Sequence, residues 1–153
     1  MISRFIWTLG FVLLGGCASI TAPRESVRIP DVQGSLNQIR AAVMSAIPIG
    51  QRSVSANGRV ILSKHFLPAG DQYRNAADAV QRYYAQFSIL GDRRPYEVQI
   101  VVVHEKRVLR GESFTYVVDY YDMLQAKELE RRFQEELTKR REDRNIIDDF
   151  RVF

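Results

Sequence analysis

Cysteine and histidine are almost absent from this chain. Its 153 residues include one cysteine, Cys17, and two histidines, His65 and His104. A single thiol cannot form a disulfide within the chain, so the fold must rest on burial. Zinc sites use three or four ligands, often in local pairs such as H-x-x-x-H, and no such pair occurs here. We therefore predict no metal site and no cofactor.

Catalytic signatures are also lacking. The sequence contains no G-x-S-x-G elbow and no glycine-rich phosphate loop. His65 and His104 each lie near the end of a predicted strand, where a structural or solvent-exposed role is favoured. An enzyme that pairs one of these histidines with a carboxylate is a weaker alternative. The prediction is a protein that is not an enzyme.

No apolar run is long enough for a comfortable membrane span. The longest, residues 5–14, would rise about 15 Å as a helix, which is half of the hydrocarbon thickness of a bilayer. Arg4 precedes this run, and Gly15 and Gly16 follow it. A charged start, an apolar middle and small residues before a cleavage point are typical of a secretory signal.

The end of this segment reads Leu14-Gly15-Gly16-Cys17. An aliphatic residue, two small residues and a cysteine resemble the lipobox of bacterial lipoproteins. The resemblance implies lipid transfer to the Cys17 thiol, cleavage before Cys17, and acylation of the new amino terminus. In enteric-type lipoproteins, a residue other than aspartate after the cysteine, here Ala18, implies sorting to the outer membrane, facing the periplasm. A plain signal peptide with an incidental cysteine is the alternative.

Charge and length limit what the exported chain can be. The full chain has 22 Lys and Arg against 18 Asp and Glu, a net charge of +4. The basic residues are spread out rather than concentrated in a stripe with interleaved aromatics, so we predict no nucleic-acid binding. Residues 1–16 are assigned to the signal, residues 17–34 to a lipid-anchored tether that could add a short edge strand at Ser26–Ile29, and residues 35–153 to one domain.

Local patterns predict the first elements of that domain. Ser35 with Gln38 makes a capping box at the start of a helix that Pro48 ends. Asn57-Gly58 predicts a tight type I′ turn between strands at Arg52–Ala56 and Arg59–Phe66.

A second helix is predicted at about Asn75–Phe87, where the apolar residues follow helical spacing and include Tyr83 and Tyr84. Strands follow at Tyr96–Arg107 and Ser113–Tyr121, and a long helix from about Asp122 to Arg144. The expected fold is α+β in the order α-ββ-α-ββ-α: a four-stranded antiparallel sheet with packed helices.

Two groups of residues are candidate interfaces. Tyrosines are frequent at protein interfaces, although core or sheet-covering roles are favoured for them. The last helix carries a thin apolar stripe among dense ion pairs, and docking within the domain is favoured over pairing with another helix. The residues are Tyr83, Tyr84, Tyr116, Tyr120, Leu129, Phe133 and Leu137.

The sequence thus predicts a lipoprotein anchored in the outer membrane through Cys17. Its expected role is a non-enzymatic interaction or assembly module of the cell envelope, with an envelope protein as partner. The alternative is a carrier that holds a small ligand or a lipid in a pocket between the Tyr83/Tyr84 helix and the sheet.

Overall fold

A computed structural model of the chain describes residues 25–149, with side chains through residue 141. The chain is mostly sheet, with 48% strand and 26% helix. Eight antiparallel strands and two helices replace the predicted four-stranded sheet with three helices. The elements are β1 (Val27–Val32), α1 (Leu36–Ala46), β2 (Gln51–Val54), β3 (Val60–Ser63), β4 (Phe66–Ala69), β5 (Gln72–Asn75), β6 (Gln81–Leu90), β7 (Tyr96–Arg110), β8 (Ser113–Tyr121) and α2 (Met123–Asp149).

Two long strands, β6 and β7, form the centre of the sheet and pair along ten residues. One half of β6 pairs with β3, which continues to β2, and the other half pairs with β4, which continues to β5. Along its other edge, β7 pairs first with β1 and then with β8. The predicted strand beginning at Tyr96 is therefore confirmed, and it has strand partners along both edges.

Both helices lie on the same face of the sheet, where α2 contacts α1, β7 and β1. The alternation of β6 and β7 places small and branched side chains beneath them, and α1 adds a fully buried apolar stripe. The core includes Ile39, Ala42, Val43, Ala85, Phe87, Ile89, Val98, Ile100, Val102, Ala126, Leu129 and Phe133. The domain is thus a two-layer structure with its main core between one sheet face and the helices.

The predicted second helix is wrong. The residues from Tyr83 to Phe87 fit helical spacing, but the same segment also alternates, since Tyr83, Ala85 and Phe87 all face the helices. The segment is a strand because β6 has strand partners along both edges, and these partners satisfy its backbone N–H and C=O groups. The tertiary pairing therefore overrides the helical spacing. Asn75, where the predicted helix would begin, is the last residue of β5, and its side chain accepts a hydrogen bond from the Ala77 amide at 3.2 Å.

The first helix is confirmed. The Ser35 hydroxyl accepts from the Gln38 amide at 3.2 Å, and the Gln38 side chain accepts from the Ser35 amide at 2.8 Å. These two bonds complete a capping box. They satisfy amide groups that have no partner inside the helix.

The hairpin around Asn57-Gly58 is confirmed, but its turn is longer than predicted. The Ser55 amide bonds to the Val60 carbonyl at 2.8 Å, which leaves four residues in the loop. Only Gly58 has a positive φ, of 68°, whereas a type I′ turn requires two such residues. The positive φ favours glycine here, and a Cβ at Gly58 would lie 2.7 Å from the guanidinium carbon of Arg40, whose side chain would have to shift.

Part of the predicted tether belongs to the sheet. β1 pairs with β7 through Val27 opposite Ile100 and Ile29 opposite Val98. The segment between Cys17 and the sheet therefore contains nine residues, 18–26. Fully extended, nine residues can span only about 30 Å. A domain anchored at Cys17 would therefore lie closer to the lipid surface than one on a tether that reaches residue 34.

Candidate functional site: the open face of the sheet

The two faces of the sheet differ in what covers them. The face beneath α1 and α2 carries Phe87 and Ile100, which are fully buried. The opposite face, which we call the open face, carries the alternate residues of the same strands, including Arg82 and Tyr84 of β6 and Glu105 and Arg107 of β7. In the described part of the chain, no helix contacts this face.

Three arginines on the open face lie over aromatic rings. The guanidinium carbon of Arg82 is 3.3 Å from the ring centre of Tyr116. The corresponding distances are 5.1 Å for Arg52 over Tyr84 and 4.9 Å for Arg107 over Phe114. Cation–π contacts of this kind hold guanidinium groups in place and keep them partly hydrated. Together they form a row that crosses the sheet from β2 to β8.

One carboxylate lies within this row. Arg82 Nε donates to Glu105 Oε2 at 2.8 Å, and a second nitrogen of Arg82 donates to the Ala77 carbonyl at 2.6 Å. The Tyr116 hydroxyl donates to the Ala79 carbonyl at 3.0 Å. Arg82 is therefore fixed by a carboxylate, a carbonyl and a ring, so the middle of the open face is rigid.

His65 lies beside this network. Arg52 donates to His65 Nε2 at 2.7 Å, so that nitrogen is an acceptor and the ring is neutral. Burial lowers the pKa of His65 to about 4, and the positive charges of Arg82 and Arg52 act in the same direction. Glu105, with Oε2 at 3.6 Å from Nε2, opposes them only in part. The network thus holds its histidine uncharged at neutral pH.

A different aromatic cluster lies on the helix-covered face. His104 is sandwiched between Tyr83 and Tyr120, with ring centres 4.7 and 4.5 Å away. The two tyrosine hydroxyls bond to each other at 2.9 Å. Burial and that bond raise the pKa of Tyr83. His104 is only 4% exposed and lies with Nδ1 3.3 Å from Asp119 Oδ2 without a hydrogen-bonding angle.

The four tyrosines predicted as interface residues are therefore split between the two faces. Tyr83 and Tyr84 are neighbours on a strand and point to opposite sides. Tyr116 and Tyr120 would share a face in a regular strand, but a bulge in β8 adds Asp119 between Val118 and Tyr120. Tyr84 and Tyr116 lie on the open face, whereas Tyr83 and Tyr120 lie on the other.

The apolar stripe of the last helix docks within the domain. Leu129 and Phe133 are fully buried and Leu137 is nearly so, in the core with α1 and the sheet. The favoured alternative for this stripe is thus observed, and the three residues are not available as a surface. The predicted ion pairs flank them: Glu128 bonds Arg131 at 2.7 Å and Arg132 at 2.9 Å, which lowers the pKa of Glu128 to about 2.

The surroundings of the two histidines differ. Nε2 of His65 accepts a hydrogen bond from Arg52. His104 lies between two tyrosine rings and is only 4% exposed, which restricts access to its ring nitrogens. A general base needs a ring nitrogen within reach of the proton that it removes. In the part of the chain that the structure describes, no group of three or more His, Cys, Asp or Glu side chains is arranged to hold a metal.

The described residues also offer a groove on the helix side. It has a volume of about 450 Å³ and lies between α1 and the β2–β3 hairpin. Ile61 and Met44 contribute apolar walls, and Arg40 and Gln51 contribute polar ones. The pocket expected between a Tyr83/Tyr84 helix and the sheet does not exist, because both residues are on β6.

Several exposed apolar side chains lie together at the end of the sheet formed by β7 and β8. Phe114 is 65% exposed, Leu109 62% and Val118 51%, and all three lie on the open face. Exposed apolar groups that cluster beside fixed arginines and tyrosines are typical of protein-binding surfaces. The alternation of β8 alone cannot identify this patch, because it does not show which face of the sheet the helices cover.

Comparison with known proteins gives no family. No family model matches the chain, and no curated protein or solved structure matches it significantly. Cys17 and the signal segment lie outside the described residues. None of the described helices combines the length and apolar character needed to cross a bilayer.

Proposed function

We propose that this protein is a lipoprotein of the bacterial outer membrane, anchored through Cys17 on the periplasmic side, and that it works as a non-enzymatic interaction or assembly module. The anchor rests on the Leu14-Gly15-Gly16-Cys17 pattern after a short apolar run. Two or more acyl chains on one residue hold a protein stably to a bilayer. Only nine residues, 18–26, separate Cys17 from β1, so an anchor on Cys17 holds the domain close to that surface.

The observation that carries the interaction role is the composition of the open face. Arginine and tyrosine are the residue types that most often dominate binding energy at protein interfaces. Here Arg82, Tyr116 and Glu105 are already fixed by contacts within the chain, so little ordering cost remains on binding. The partner that fits is an envelope protein with acidic and apolar side chains on its contacting surface, since Arg107 adds positive charge beside Phe114 and Arg52 adds it beside Tyr84.

The carrier alternative is less well supported. It requires an enclosed apolar pocket, and the helix predicted to close that pocket is a strand. The groove beside α1 is lined in part by Arg40, Asn37 and Gln51 rather than by a continuous apolar wall.

The anchor is tested with Cys17→Ser in cells that are fed an alkyne-labelled fatty acid. We expect the native chain to incorporate the label and to fractionate with outer membranes. The variant should carry no label and should leave that fraction. Equal labelling of the two proteins would exclude lipidation at Cys17.

The interaction role is tested by charge reversal on the open face. Arg52→Glu with Arg107→Glu should abolish the crosslinked species that the native chain forms with an envelope protein in living cells. The matched control is Arg93→Glu with Arg94→Glu, which makes the same charge change in the exposed loop between β6 and β7. If both double variants keep the crosslinks or both lose them, the open face is not the binding surface.

A further inference from the structure

β8 is the edge strand at the exposed apolar end of the sheet. Among residues 25–149 it pairs with β7 alone, so one row of its amide and carbonyl groups has no strand partner. Natural proteins protect such edges with lysine, proline or inward-pointing charges, because an open edge is a template for another strand. The first six residues of β8, Ser-Phe-Thr-Tyr-Val-Val, contain none of these.

The only charge on β8 is already neutralised. Asp119 accepts from Lys106 of the neighbouring strand, with Nζ and Oδ1 2.5 Å apart, and this bond lowers the pKa of Asp119. The bulge at Asp119 ends the regular part of the strand, so pairing is available to residues 113–118. An uncharged edge cannot select an acidic or basic peptide, but it is free of repulsion toward a copy of itself.

We propose that two copies of this chain associate through antiparallel pairing of β8 with β8, which gives a two-fold dimer with one continuous sheet. In such an interface residue i of one copy faces residue j of the other, and j faces i. With Tyr116 on the two-fold axis, Phe114 lies opposite Val118 of the second copy, and Thr115 lies opposite Val117. This register places the two most exposed apolar side chains of β8 against each other on the open face.

The geometry favours a second copy of this chain over an unrelated strand. Phe114 and Val118 lie on the same face of β8, four residues apart. In the two-fold register, Phe114 of each copy therefore faces Val118 of the other, so both exposed side chains gain an apolar neighbour. An aromatic residue opposite a β-branched one is a stabilising cross-strand pair. Pairing keeps the helices of both copies on one side and joins the two open faces on the other. The dimer does not depend on the lipid anchor or on the partner proposed above.

The first test is the mass of the full chain purified in detergent, measured by light scattering with the detergent mass subtracted, over a dilution series. We expect twice the chain mass for the native protein and one chain mass for Val118→Lys, since a lysine blocks edge pairing. The matched control is Val80→Lys: Val80 is 57% exposed, as Val118 is 51%, but it lies outside β8. It should remain dimeric. A native chain that stays monomeric, or two variants that behave alike, would overturn the proposal.

The second test fixes the register and does not depend on how well a lysine variant folds. The double variant Phe114→Cys with Val118→Cys should form a disulfide-linked dimer with oxidised glutathione, because directly opposed residues have Cα atoms about 4.5–5.5 Å apart. Each single variant should stay uncrosslinked, since identical positions are then offset by about 13 Å along the strands. Crosslinking by a single variant, or none by the double variant, would contradict this register. Because only purified protein is used, the outcome is separate from that of the charge-reversal experiment in cells.

Discussion

The two faces of this sheet are made from alternate residues of the same strands, yet they perform different tasks. On one face, Ala85, Phe87 and Ile100 pack beneath helices and are fully buried. On the other, Arg82, Tyr84 and Glu105 form a polar and aromatic network without a covering layer. β6 and β7 therefore have two roles. One set of their side chains forms the core beneath the helices, and the alternate set forms the open face.

The open face is not simply a solvated surface. Val101 and Val103 belong to it, yet they are only 1% and 2% exposed. Long arginine and tyrosine side chains of neighbouring strands, held together by cation–π contacts, form a thin second layer on this face. Toward β8 this layer ends, and the apolar groups of Leu109 and Phe114 reach the surface.

The largest contrast is expected between two phenylalanines. Phe133→Ala removes a fully buried ring from the helix-covered face and should lower the free energy of unfolding by about 3–5 kcal/mol. Phe114→Ala changes a ring that is mostly exposed and should cost less than about 1 kcal/mol. Urea unfolding followed by far-UV circular dichroism measures both. Similar losses would mean that the open face is also a core, and the distinction between the faces would fail.

The next effect is pH dependence from His65 on the open face. Its pKa is about 4 in the folded protein and 6.5 in the unfolded chain, so the unfolded state binds more protons between these values. Stability should therefore fall as the pH drops from about 6.5 to 4, by on the order of 2–3 kcal/mol. Glu128, with a pKa of about 2, loses its contribution only below about pH 4.5.

His65→Gln supplies the control for this window. Glutamine can accept the hydrogen bond from Arg52 but does not titrate, so its unfolding free energy should change much less between pH 6.5 and 4.5. The measurement is urea unfolding at half-unit pH steps. An identical slope for the two proteins would show that His65 is not held neutral by the network.

A smaller contrast uses two serines on neighbouring strands. The buried Ser63 hydroxyl accepts from the Ala85 amide at 2.8 Å, where β3 ends beside β6. Ser63→Ala leaves that amide without a partner and should cost about 1–3 kcal/mol. Ser53→Ala, at an exposed position of β2, should stay within about 0.5 kcal/mol. Equal thermal unfolding midpoints for both variants would contradict the assignment of Ser63 to the buried side.

The smallest expected effect is on the open face itself. Tyr116→Phe keeps the ring beneath Arg82 and removes only the hydrogen bond to the Ala79 carbonyl. It should lower the free energy of unfolding by about 1 kcal/mol. Arg82→Gln loses the contacts to both Glu105 and the ring, so we expect it to cost more. If the order of the two variants were reversed in urea unfolding, the hydroxyl rather than the guanidinium would organise this network.

Much of the fold could be predicted where local chemistry is decisive. The capping box at Ser35, the hairpin around Gly58 and the strand Ser113–Tyr121 depend on neighbouring residues, and the structure confirms them. The segment Gln81–Leu90 could not be assigned, because its apolar residues satisfy both a helical and a strand period. Only the long-range pairing with β3 and β7 selects the strand.

The residues of the candidate site can be predicted only in part. The sequence indicates tyrosines as candidate interface residues, but the arginines above Tyr84 and Tyr116 come from strands that are distant in sequence. The bulge at Asp119 places Tyr120 on the other face, and the residue pattern of β8 does not predict this bulge. For Leu129 and Phe133 the sequence favours docking within the domain over pairing with another helix, and the structure places both residues in the core.

The most direct test of the open face uses two exposed leucines. A photo-crosslinking amino acid replaces either Leu109, 62% exposed on the open face, or Leu124, 79% exposed in the first turn of α2. In living cells we expect Leu109 to give an adduct with an envelope protein, at a mass different from twice that of the chain, and Leu124 to give none. The adduct should disappear with Arg52→Glu and Arg107→Glu. An adduct at Leu124 alone, or the same adducts at both positions, would contradict the assignment of binding to the open face.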